Sequence, residues 1–121
     1  MGIYVSVRGW LECDERQLAA VQTIIAAYDD GHYSHGWGTP RQHLNWTHYV
    51  FFGADMRESA LEWFLEQVRE IAAVPASDAD GDRITGVFFA SHESTGMSEW
   101  QIRGGQVAIA PGDVRYRYLD A

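Results

Sequence analysis

Residues Asn45–Pro75, NWTHYVFFGADMRESALEWFLEQVREIAAVP, decide the fold: they read as a strand, a tight corner and an amphipathic helix. Asn45 to Gly53 is dense in aromatic and β-branched side chains, the composition of a strand buried on both faces. Asp55 stands three residues before Glu58, the spacing of a capping box, in which one carboxylate meets the free amides of the first turn and the other reaches back to the cap. Ala60, Leu61, Phe64, Leu65, Val68, Ile71 and Ala72 then recur at the spacing of one helical face, and Pro75 marks the stop. The opposite side of this helix carries Glu58, Glu62, Glu66 and Glu70 in i, i+4 register, with Arg57 and Arg69 relieving part of the repulsion. Such a ridge is either a solvated face of an acidic protein or a docking surface for a basic partner.

Upstream, Gly2 to Glu12 alternates as a first strand, with Ile3, Val5, Val7, Gly9 and Leu11 on one side. Asp14 with Gln17 forms a second capping-box pattern, and Leu18, Val21, Ile24, Ile25 and Tyr28 make the inner stripe of a helix that ends at Asp29-Asp30-Gly31. Gly31 to Leu44, GHYSHGWGTPRQHL, is a long glycine- and aromatic-rich connection with room for a short strand. Its Tyr33 and Trp37 suit a binding surface, or else lid the end of the core. Downstream, Ala76 to Arg83 is a polar turn and Ile84 to Ser91 a strand apolar on both faces. Glu99–Arg103 and Gln106–Ala110 flank Gly104-Gly105, the signature of a two-residue hairpin. Arg115 to Tyr118 is an extended tail laid over the sheet as an edge.

The resulting order, β-α-β-α-β-β-β, predicts a single α+β domain over residues 1–121. The expected architecture is a two-layer sandwich: a mixed sheet of about five strands, parallel across the helix crossovers, with both helices on one face.

Composition narrows the function. The 121 residues carry a net charge of −8, and every basic side chain is Arg. Nucleic acid is excluded as a ligand, since phosphates need a basic patch, and an anionic membrane is disfavoured for the same reason. Basic proteins remain natural partners, because opposite potentials speed encounter. The single Cys13 allows no internal disulfide and fits a reducing compartment. With no signal-peptide pattern and no apolar run long enough to span a bilayer, the expected location is cytoplasmic.

Chemistry is hard to find. His32 and His35 are spaced H-x-x-H, with His43 and His48 beyond, but no CxxC or HExxH accompanies them, so no metal is expected. Asp78-x-Asp80-Gly81-Asp82 has its glycine too early for a calcium loop and Phe89 where the bidentate Glu belongs. No nucleophile elbow, phosphate loop or dinucleotide fingerprint occurs, so no cofactor is expected. The residues an enzyme would draw on are Tyr33, His35, His48 and His92.

The element order resembles one family. In the immunity proteins of bacterial polymorphic toxin systems, the seventh group has a similar small α+β plan. The similarity rests on Arg8-Gly9-Trp10-Leu11 in the first strand, the aromatic strand Trp46–Gly53 between two helices, and Glu99-Trp100-Gln101-Ile102-Arg103 running into Gly104-Gly105. The resemblance implies a cytoplasmic inhibitor that binds and blocks a cognate toxin, often a nuclease, without doing chemistry.

The first reading is therefore a non-enzymatic binding protein of the immunity or inhibitor type, acting on a basic toxin. Glu58, Glu62, Glu66 and Glu70 are its steering charges, and Tyr33 and Trp37 its contact aromatics. A second is a small-ligand module or enzyme using the Gly31–Leu44 loop over a pocket that includes His48 or His92. A third is a self-associating protein pairing through terminal edge strands.

Overall fold

The computed structural model describes residues 2–42 and 44–120, so His43 lies outside the described residues. The elements are β1 (Tyr4–Cys13), α1 (Glu15–Ala27), β2 (Trp37–Gly38), β3 (His48–Arg57), α2 (Leu61–Ala72), β4 (Thr85–His92), β5 (Gly96–Arg103) and β6 (Gln106–Pro111). They build the expected α+β two-layer sandwich, on a six-stranded sheet of order β2-β3-β1-β4-β5-β6.

Parallel pairing is not found: every ladder is antiparallel. The cause is the long loop. α1 carries the chain back along β1, and a simple crossover would then start β3 beside the beginning of β1. Instead the chain after α1 climbs the sheet edge, pairing Trp37 and Gly38 with Phe52 and Phe51 on the way. The chain thus reaches the far end, where His48 pairs with Cys13, and β3 runs down against β1. The second crossover does join strands of like direction, β3 and β4, but β1 lies between them. The room foreseen for a short strand in the loop is used by β2.

The Asp55–Glu58 capping box does not form. β1 pairs over its full length, from Tyr4↔Arg57 to Cys13↔His48, and that ladder draws Asp55 into β3. There its carboxylate accepts from the Ser6 hydroxyl at 2.6 Å. A 3-10 turn, Glu58–Ala60, leads into α2 instead, with no side-chain cap on either. The other predicted box is present: Asp14 accepts from the Gln17 amide at 2.8 Å, and the Gln17 side chain accepts from the Asp14 amide at 3.0 Å.

Both helices cover the sheet face that presents Val5, Val7, Leu11, Val50, Phe52, Met56, Phe88, Ala90, Trp100 and Ile102, all buried. Phe64 of α2 is the centre. Its ring centroid lies 4.3 Å from Phe52, 5.4 Å from Phe88, 5.6 Å from Trp37 and 5.9 Å from Trp100. Trp63 anchors α2 to α1 by donating from Nε1 to the Tyr28 carbonyl at 2.9 Å. The hairpin is as expected, with Gly104 and Gly105 at φ +59° and +79°, the left-handed pair of a type I′ turn.

Gln67 of α2 is fully buried, and neither polar atom of its side chain has a partner among the described residues. Burying an amide without hydrogen bonds costs stability, whereas an apolar side chain of similar shape does not. Gln67→Met is expected to stabilise the protein by about 1 kcal/mol. The readout is a higher urea midpoint at unchanged slope; a lower midpoint would show that the amide is satisfied in solution.

Candidate functional site

Because both helices lie on one side, the second face of the sheet has no layer over it. Among the described residues the C-terminal 3-10 turn, Val114–Asp120, touches it: the Tyr116 ring lies 4.9 Å from Phe89, and the Leu119 carbonyl accepts from Arg8. The tail is thus a turn folded onto the sheet, not the extended edge expected.

Elsewhere this face carries polar residues such as Ser6, Asp55, Ser91 and Gln101, but towards the end of β1 it holds an aromatic cluster. Trp10 in the central strand sits between Phe51 of β3 and Val87 of β4. Tyr49 and Phe51, two residues apart and hence on the same face, stack with centroids 6.3 Å apart. Trp10 is 36 % exposed, Tyr49 40 % and Phe51 47 %. A sheet face left to water ordinarily alternates to polar residues; a contiguous aromatic patch marks an interaction surface.

The patch is rimmed by carboxylates at the sheet end where β1 finishes. Trp10 donates from Nε1 to Glu12 at 3.1 Å. Glu12, Asp14, Asp78, Asp80 and Asp82 line a depression of about 510 Å³ with Trp46, which is 80 % exposed. Asn45 just before it holds φ +66°, a left-handed conformation that asparagine tolerates and that turns the chain into β3. Donation from the Gln17 amide and then the Ser77 hydroxyl hold the Asp14 carboxyl below its usual range. Among the described residues no group of three or more His, Cys, Asp or Glu is placed to hold a metal ion.

The aromatics singled out from the sequence are elsewhere. Trp37 is spent on the core, 4.9 Å from Phe52 and 6.1 Å from Phe88. Tyr33 lids the sheet edge, its hydroxyl accepting from the Arg57 amide at 3.0 Å and its ring 6.5 Å from Trp63. Both rings pack at the end of the core, and Trp37 also lines the cleft under the loop.

Glu58, Glu62, Glu66 and Glu70 are all exposed, on the helical layer and away from the open sheet face. Most have internal partners. Glu58 bonds the His92 imidazole, and Glu62 pairs with Arg69 at 3.6 Å. A hydrogen bond to Glu70, desolvation and the charges of Glu70 and Glu66 push the Tyr28 hydroxyl up to about 12. The folded state therefore holds the Tyr28 proton more tightly than the unfolded chain does. Its contribution to stability is complete below pH 10 and is lost as pH rises towards 12. Melting temperature is expected to fall across that window, and to fall less in Tyr28→Phe; identical profiles would break the link to Glu70.

The remaining enzyme candidates do not converge. His48 pairs with Cys13 and His92 with Val5, at opposite ends of β1. Eight residue steps separate them, roughly 26 Å. A cleft of about 290 Å³ does lie under the long loop, lined by Gln22, Ile25, Asp29, His35 and Trp37, but neither of those histidines reaches it. Cys13 is buried, and desolvation, then the charge of Asp14, raise its thiol to about 11, which leaves it inert.

The open face is not foreseen in the sequence because Tyr49 and Phe51 lie in a strand whose composition reads as buried on both faces, and Trp10 on a side of the first strand expected to be partly covered. The available signal was the count of layers: two helices on one face leave the other face bare. No helix among the described residues is long and apolar enough to cross a membrane. No protein-family model, curated protein or solved structure matches the chain.

Proposed function

We propose that this chain is a non-catalytic, cytoplasmic binding protein of the immunity or inhibitor type, which blocks a basic protein partner by covering it with the open sheet face. The observation that carries the reading is the exposed cluster Trp10, Tyr49 and Phe51 beside a rim of carboxylates. Hot spots in interfaces are centred on aromatic side chains that are desolvated by the partner, and surrounding charges set orientation and rate. Trp46 extends the aromatic surface into the acidic depression, where a basic side chain would meet carboxylates and an indole face together. A basic toxin cleft, such as that of a nuclease, is complementary to this combination. The acidic ridge on α2 adds to the long-range attraction from the far side of the domain.

The experiment is affinity capture from the native host at low and high salt, followed by binding measurements with the captured partner. A stoichiometric basic protein whose association rate falls with salt supports the reading. A partner that is acidic, or binding indifferent to salt, counts against it.

A further inference from the structure

We infer that β6 is a self-pairing edge, through which two copies of this chain join their sheets into one continuous antiparallel sheet. This inference stands whether or not the open face binds a partner.

The two sheet edges differ. β2 spans only Trp37–Gly38, too short to template another strand. β6 spans six residues, Gln106–Pro111, and its outer side is unpaired. Exposed edges are ordinarily protected by charges, bulges or a covering element. Here residues 104–112, GGQVAIAPG, contain no charge at all in a chain of net charge −8. Ile109, in the middle of the strand, is 47 % exposed.

The hairpin fixes which backbone groups point outward. In a type I′ turn the flanking residues, Arg103 and Gln106, exchange hydrogen bonds. Alternation then directs Gln106, Ala108 and Ala110 inward to β5, and leaves the backbone groups of Val107 and Ile109 facing out. Pro111 also falls on an outward position, where its missing N–H takes nothing from the β5–β6 ladder.

These outward groups are self-complementary. In an antiparallel register centred on Ala108, Val107 of one copy pairs with Ile109 of the second, twice, and each pair exchanges both backbone hydrogen bonds. Val107 and Ile109 lie opposite Ile102 and Trp100, on the helix-covered side, so their side chains meet across the seam beneath α2. The charges nearest the strand on either side are Arg103 and Asp113, of opposite sign. They are equidistant from Ala108, so self-pairing brings each to the same end as the other's copy. A two-fold axis through Ala108 perpendicular to the sheet leaves both open faces on the same side of the dimer, which would give two-point attachment to a paired target.

The test is a pair of cysteine variants of the full chain. In the proposed register Ala108 faces its own copy in a non-hydrogen-bonded pair, with Cα atoms roughly 4.5 Å apart, inside the range a disulfide accepts, about 4.4–6.8 Å. Ala110 lies roughly 13 Å from its own copy. Under oxidised glutathione, Ala108→Cys is expected to cross-link to a covalent dimer at least tenfold faster than Ala110→Cys. The wild-type protein is expected to sediment as a dimer and Ile109→Lys as a folded monomer. A wild-type monomer at the highest soluble concentration would overturn the inference, as would equal cross-linking of the two cysteine variants.

Discussion

Gly9→Val is expected to abolish folding, and Gly9→Ala to cost at least about 3 kcal/mol, at the upper limit of ordinary overpacking. Gly9 lies mid-way along the central strand, opposite Phe52 on one side and Phe88 on the other. A Cβ there would sit 2.0 Å from the Val87 carbonyl oxygen, 2.7 Å from the Phe88 Cα and 2.8 Å from a Phe88 ring carbon. Two of those atoms are backbone, so relief requires β1 and β4 to move apart. That movement would open the slot in which Phe88 packs edge-on against Phe64, 5.4 Å away at 86°. Few domains of this size have stability to spare for both losses. Gly53 supplies the control. It faces the open side opposite Arg8, and a Cβ there would meet nothing within 4 Å. Gly53→Ala should therefore be neutral or slightly stabilising, since it removes unfolded-state entropy. Urea unfolding separates the two; a Gly9→Ala variant within about 1 kcal/mol of wild type would mean that the strands are not so closely apposed.

The second large effect concerns binding. Trp10→Ala and Phe51→Ala are each expected to weaken the basic partner by about 2 kcal/mol, the scale of a hot-spot aromatic. This corresponds to roughly thirtyfold for either substitution. The two side chains are cross-strand neighbours, so the double variant should fall short of the sum of the single effects. Loss should appear in dissociation, because these rings carry contact and not field. Stability should change little by comparison, because both rings already meet water and a cross-strand pair contributes about 1 kcal/mol or less. Charge reversal at Glu62 and Glu66 should mainly slow association and leave dissociation nearly unchanged. A partner whose dissociation is accelerated by the helix substitutions, and not by the aromatic ones, would move the interface to α2.

Local chemistry was legible where a few adjacent residues settle it. The Asp14–Gln17 box, the Gly104-Gly105 hairpin and the α2 stripe all depend on contacts within a turn or two, and all are found. Strand direction was not legible. It depends on whether residues 31–44 stop beside α1 or travel the length of the sheet, which glycines and aromatics in a loop do not disclose. The failed cap at Asp55 has the same origin: the length of β1 decides where β3 ends, and β1 is far away in sequence. Tyr33 and Trp37 looked like binding residues because they lie in a loop, yet the loop packs as an edge over Phe52 and Phe64. Tyr49 and Phe51 looked like core because they lie in a strand dense in aromatics, and Trp10 lay on a side expected to be partly covered, yet all three are exposed.

The most direct test of the open face as the docking surface is hydroxyl-radical footprinting of the captured complex against the free protein. Trp10, Trp46, Tyr49 and Phe51 are reactive and exposed when free, and Trp63 of α2, half-buried on the opposite, helical layer, offers an internal reference. The expected result is strong protection of the four at constant reactivity of Trp63. Unchanged oxidation of Trp10 and Phe51, with protection appearing along Leu61–Ala72, would contradict it and return the interface to the acidic helix.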